Sequence, residues 1–113
     1  MTAEEKIYGM FGLMQRAGKL VSGQDAVCAS LESGRAKVIV VTGDISANTL
    51  DKILNAAKAS RASGPASLYR FGNSEVLGDR IGKRARTCVA VEDEGFASGL
   101  EKLLDGFNQE DQE

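Results

Sequence analysis

Histidine is missing from all 113 residues. That absence removes Ser-His and Cys-His relays and every His-containing zinc site. Cysteine is scarce: Cys28 and Cys88 lie far apart in sequence and show no Cys-x-x-Cys spacing, so both read as small buried apolar residues rather than redox or metal ligands. No apolar run approaches the ~20 residues of a membrane-spanning helix. Residues 1–6 lack the basic start and apolar core of a signal peptide, so a soluble, cytoplasmic protein is expected. Aromatics are few, and Tyr8, Phe11, Phe96 and Phe107 fall on or beside core stripes, which leaves no nameable platform for stacking bases. Glycine is plentiful, but it builds no phosphate loop. Gly12 and the Gly18-Lys19 pair have five residues between them and are followed by Leu20; Gly78 and Gly82-Lys83 have three and are followed by Arg84. Neither fits Gly-x-x-x-x-Gly-Lys-Ser/Thr, and Gly-x-Gly-x-x-Gly does not occur. These gaps argue against an enzyme, and no cofactor or metal is expected.

What is present fits one domain, since 113 residues with 42% apolar content suffice for a single core and leave no room for a second. The net charge of -2 hides a segregated pattern. Residues 6–91 carry thirteen Lys or Arg against six acids, whereas most of the remaining acids crowd the last part of the chain, from Glu92 onward. A basic body of this kind can attract phosphate groups.

Periodicity predicts alternating helices and strands. Ile7, Met10, Phe11 and Met14 recur at helical spacing, with Gly18 placed to stop the helix. A brief strand at Leu20 and Val21 leads into a second helix over 23–33 with Val27 and Leu31 as its core pair. The β-branched run 37–42 reads as a central strand covered on both faces. Ser46 can cap a third helix whose stripe is Leu50, Ile53, Leu54 and Ala57. A Ser-rich loop over 59–67, containing Gly64-Pro65, leads to a strand over 67–71. Asn73 or Ser74 caps a short helix bearing Val76, Leu77 and Ile81, and a last strand spans 86–91. A closing helix from Asp93 buries Phe96, Leu100, Leu103, Leu104 and Phe107. The domain is expected to span 1–108 and to end in a frayed acidic tail over 109–113. Such alternation points to an α/β sandwich.

The stretch 12–28, GLMQRAGKLVSGQDAVC, is the most pointed feature. Its Ser-Gly-Gln-Asp segment can cap the second helix by itself and still present Gln24 and Asp25 to a ligand. With SGRAKVIVVTGDISANT at 33–49, FGNSEVLGDRIGK at 71–83 and CVAVEDEGFA ending at Ala97, this stretch resembles the kink-turn-binding ribosomal proteins of the L7Ae and L30e type, in particular their small bacterial YlxQ-like branch. The resemblance covers nearly the whole chain. It implies a three-layer αβα sandwich with a mixed four-stranded sheet, non-enzymatic binding of a kink-turn or similar structured RNA, possible association with the ribosome, and a monomer.

It also implies an RNA surface in three segments. These are the second-helix entrance (Lys19, Ser22, Gly23, Gln24, Asp25 and Cys28), the turn after the central strand (Thr42, Gly43 and Asp44), and the loop holding Lys83, Arg84 and Arg86. Amides and carboxylates there would read exposed base edges while Lys and Arg neutralise phosphate. The family's usual entrance is Gly-x-Asn-Glu-x-x-Lys, and Ser22, Gln24, Asp25 and Cys28 all differ from it. Losing the lysine removes a charged hydrogen bond of roughly 1.5–3 kcal/mol. Lys83, Arg84 and Arg86, with Arg16, Lys19, Arg35 and Lys37 nearby in sequence, are candidates to compensate. The alternative expectation is a protein-interaction module of the same fold, with kink-turn recognition weakened and the acidic C-terminal part meeting a basic partner.

Overall fold

A computed structural model of the chain describes residues 1–60, 64 and 66–111, with side chains to Phe107. Pro65 of the expected loop and residues 112–113 of the expected tail lie outside the described residues. The elements in order are α1 (Ala3–Arg16), β1 (Leu20–Ser22), α2 (Gln24–Glu32), β2 (Val38–Val41), α3 (Ala47–Lys58), β3 (Ser67–Arg70), α4 (Ser74–Arg80), β4 (Cys88–Val91) and α5 (Glu94–Asp111). The strands form one mixed sheet in the order β1-β4-β2-β3. β4 runs antiparallel to both of its neighbours, β1 and β2, while β2 and β3 are parallel. The mixed four-stranded sheet implied by the family resemblance is therefore present.

Both inner strands are buried at every position, which is why their sequences are continuously apolar rather than alternating. Val38, Val40, Val89 and Val91 point to the face covered by α1, α4 and α5, where Phe11, Met14, Leu100 and Leu104 complete the core. Ile39, Val41, Cys88 and Ala90 point to the other face, where they meet Val27 and Leu31 of α2 and Ile53 and Ala56 of α3. Two helical layers thus sandwich one sheet.

Polar side chains start most of the helices. Ser46 accepts the Thr49 N–H, Asn73 the Val76 N–H and Asp93 the Phe96 N–H, each satisfying an amide that the helix cannot. Thr2 and Glu5 form a reciprocal capping box on α1, a pairing the sequence reading passed over. Several boundaries move. β4 starts at Cys88 instead of residue 86, because the Arg86 N–H bonds the Ser74 carbonyl and is unavailable to the ladder. α5 continues through 109–111, which were expected to be tail. In α3 the buried residues are Ile53 and Ala56 with Leu50 half-buried, whereas Leu54 and Ala57 face outward. The helix packs along its i, i+3 row against α2, so the expected stripe is rotated by about one residue.

That rotation makes a test by urea denaturation. Ile53→Ala should destabilise the protein by ~2–5 kcal/mol, the cost of a buried cavity. Leu54→Ala should cost about 1 kcal/mol at most. Equal costs would restore the stripe expected from sequence.

Candidate nucleic-acid interface

The registers give the sheet two distinct ends. Ser22, Val41, Arg70 and Cys88 lie at one, while Leu20, Val38, Ser67 and Val91 lie at the other. Because β4 is antiparallel to its neighbours, the chain entering it arrives at the end where β1 and β2 finish. The start of α2, the turn over 42–44, the start of α4 and the loop over 82–87 consequently meet at the first end.

Hydrogen bonds join these segments in series. Asp44 accepts the Ser74 N–H on Oδ1 at 3.0 Å and the Ser74 hydroxyl on Oδ2 at 2.6 Å. The Ser74 carbonyl accepts the Arg86 N–H at 3.0 Å. Arg86 then reaches across to the end of β1, just before α2, its Nε donating to Ser22 Oγ at 3.2 Å. Its Nη1 donates to the Arg84 and Ala85 carbonyls, at 3.3 and 3.2 Å. Those bonds use Nε and Nη1, while Nη2 has no protein partner among the described residues. The Thr42 N–H bonds the Thr87 carbonyl at 2.9 Å and the Gly43 N–H bonds the Gly72 carbonyl at 2.9 Å, fixing the central turn between the other two segments.

The loop is pinned from below as well. The Lys83 N–H bonds the Gly78 carbonyl at 2.8 Å, and the Arg84 carbonyl packs so closely on Gly78 that any Cβ there would collide with it. Lys83 and Arg84 remain exposed above this contact.

At the α2 entrance the structure corrects the expectation of self-capping. The N-cap is Gly23, held at φ +93° by its bond to the Cys88 carbonyl, and no side chain caps the helix. Ser22 cannot serve because its hydroxyl is turned to Arg86. An open cleft of about 590 Å³ remains, lined by Ser22, Gly23, Gln24, Asp25, Arg86 and Thr87, with Ala26 and Ala85. It combines first-turn amides, a guanidinium edge, an amide side chain and a carboxylate. Such a set can donate to phosphate or base carbonyl oxygens and accept from base amino or imino groups. Among the described residues no group of three or more His, Cys, Asp and Glu side chains is arranged to hold a metal, and no helix is long and apolar enough to cross a membrane.

Ser22, Gly23, Gln24, Asp25, Asp44, Lys83, Arg84 and Arg86 thus belong to this end, and two expected residues do not join them. Lys19 stands at the opposite end of β1, its carbonyl accepting the Glu92 N–H. Arg35 is there too, paired with Glu92 at 3.2 Å, as is Lys37, whose N–H bonds the Val91 carbonyl. Cys28 faces α3, with Sγ 3.7 Å from the Lys52 carbonyl. Burial raises the Cys28 thiol pKa, and burial pushes the Cys88 thiol up to about 11, so neither is a ready thiolate. Sequence reasoning missed Ser74 and Thr87 as members of the site. Nothing in their local pattern distinguishes them from cap and strand-edge residues.

Residues 5–101 match the Ribosomal protein L7Ae/L30e/S12e/Gadd45 family. The chain belongs to that family. It is 41% identical over 98 residues to the RNA-binding protein YlxQ of Bacillus subtilis (strain 168), covering 87% of this chain and 94% of that one. It is 32% identical over 102 residues to the RNA-binding protein YlxQ of Enterococcus faecium, with 90% and 94% covered. Among solved structures, a Bacillus halodurans C protein of unknown function superposes with a TM-score of 0.77 at 28% identity, over 88% of this chain and 97% of that one. The Giardia lamblia 15.5kD RNA binding protein superposes with a TM-score of 0.67 at 10% identity, over 92% and 86%, which shows a shared L7Ae-type fold.

The polar series has a titratable member. The Ser74 hydroxyl, followed by the Thr42 hydroxyl, holds the Asp44 carboxyl below its ordinary value near 3.8. A carboxyl depressed on folding stabilises the protein above its unfolded pKa, and that contribution disappears as pH falls through the folded pKa. Carbon-13 titration should therefore place Asp44 below 3.8, and Ser74→Ala should raise it. The stability advantage of Asp44 over Asp44→Asn should be full at neutral pH and vanish in acid. An advantage that persists in strong acid would contradict this assignment.

Proposed function

We propose that this protein binds a bent, structured RNA, a kink-turn or a close relative of one, and carries out no catalytic step. The observation that carries the reading is the unbroken hydrogen-bonded series Asp44–Ser74–Arg86–Ser22, which makes one surface of three segments remote in sequence. Support comes from the family and from relatives named for RNA binding. Ribosomal RNA in the cytoplasm is the proposed setting, with the protein acting as a monomer.

Each part of the surface has a task in this reading. Ser22, Gly23, Gln24 and Asp25, together with Nη2 of Arg86, read base edges and backbone at the sharp bend, where unstacked bases are accessible. Lys83 and Arg84, exposed on the pinned loop, neutralise phosphates of one flanking strand. Lys19 and Cys28 are left outside this face, and Arg86 stands in for the charge that position 28 lacks.

Gel-shift titrations over a range of salt test the division. Affinity for a kink-turn RNA should fall steeply with salt, and Lys83→Glu with Arg84→Glu should weaken it by about tenfold or more while reducing the log-log slope by roughly two. Gln24→Ala with Asp25→Ala should leave the slope unchanged and erase the preference for a kink-turn over a plain duplex of equal length. Equal affinity of the unmodified protein for both RNAs would defeat base reading, and weak binding lost near physiological salt would defeat RNA binding as the function.

A further inference from the structure

Asp44 sits in the turn that the family resemblance assigns to RNA contact, yet each of its carboxylate oxygens already accepts a hydrogen bond from Ser74. Ser74 in turn commits all three of its polar groups to the site. Its N–H and hydroxyl go to Asp44, and its carbonyl takes the Arg86 N–H. The Ser74 hydroxyl is not needed to cap α4, because Asn73 already accepts the Val76 N–H at 3.0 Å. Its 2.6 Å bond to Asp44 therefore serves the tertiary connection between the turn after β2 and the loop before β4. From that loop the Arg86 side chain reaches the α2 entrance, aimed by its bond to Ser22.

Resting on the RNA-binding reading above, we propose that Asp44 is a positioning residue. Acting through Ser74, it holds the backbone of Arg86 so that the guanidinium lies across the α2 entrance with its Nη2 presented to RNA. The specificity of the cleft is then set from the far side of α4 by a carboxylate that need not touch the RNA. A carboxylate suits this task because it accepts from the N–H and the O–H of Ser74 at once, one on each oxygen. An amide offers one good acceptor and turns a donor toward the second.

The test combines NMR of the free protein with gel shifts on a kink-turn RNA at fixed salt, using Asp44→Asn, Ser74→Ala, the double variant and Ser74→Thr. Asp44→Asn and Ser74→Ala should each weaken binding by about five- to tenfold, and the double variant should be no weaker than either, because the two residues act as one unit. Both should shift the Arg86 Nε–H resonance and speed its exchange with water. Ser74→Thr, which keeps the hydroxyl, should restore both readouts. Wild-type binding by Ser74→Ala beside weakened Asp44→Asn would mean direct contact by Asp44 and overturn the proposal, as would an unmoved Arg86 resonance or additive costs. If the unmodified protein bound no kink-turn RNA, the RNA reading would fall, while the Arg86 resonance would still decide whether Asp44 positions it.

Discussion

The fold turns on β4, a strand of four residues inserted between β1 and β2 and antiparallel to both. Its hydrogen bonds close the sheet, and its side chains feed both cores, Val89 and Val91 on one face and Cys88 and Ala90 on the other. Direction matters as much as pairing. A parallel β4 would deliver the loop over 82–87 to the end of the sheet that holds Lys19 and Glu92. The antiparallel strand delivers it to the end where α2 begins and β2 turns, and the three segments of the candidate interface exist as one surface for that reason.

Arg86 converts this proximity into a defined shape. It donates to Ser22 across the gap, folds back on the carbonyls of its own loop, and is anchored through its backbone to Ser74. A guanidinium can do this while keeping its Nη2 donors available, since its donors are arranged in a rigid planar fork. A lysine could supply the charge but not the bridge. Beneath it, Gly78 lets the Arg84 backbone lie against α4, where a larger residue would lift the whole loop. Exposed cations stand at both ends, Lys83 and Arg84 beside α2 and Lys19 and Lys37 opposite, where Arg35 is paired with Glu92, which also takes the Ser30 hydroxyl at 2.6 Å.

Much of the fold was legible because local signals and tertiary packing agree. The stripe Ile7, Phe11 and Met14, the cap at Ser46 and the apolar run of β2 each follow from one element's own chemistry. α3 was misread at Leu54 and Ala57 because its buried row is chosen by α2, and a helix carrying several apolar residues cannot announce which row its neighbour will select. The site was legible in parts. Gln24 and Asp25 follow from position at a helix start, whereas Lys83, Arg84 and Arg86 were pointed to by the family resemblance. The resemblance also pointed to Lys19, which a three-residue strand carries to the other end of the sheet, and to Cys28, which lies one turn further along α2 against α3. Ser74 was invisible as a site member, since its bonds to Asp44 and Arg86 bridge segments that only the sheet topology brings together.

The central claim is that RNA is engaged at the end of the sheet where α2 begins. Mapping amide chemical-shift changes on adding a kink-turn RNA to the nitrogen-15-labelled protein tests it most directly. The largest changes should fall on Ser22 to Ala26, Thr42 to Asp44, Ser74 and Lys83 to Thr87, with little at Lys19, Lys37 and Glu92. Changes concentrated on Lys19, Lys37 and Glu92, with the α2 entrance silent, would contradict it.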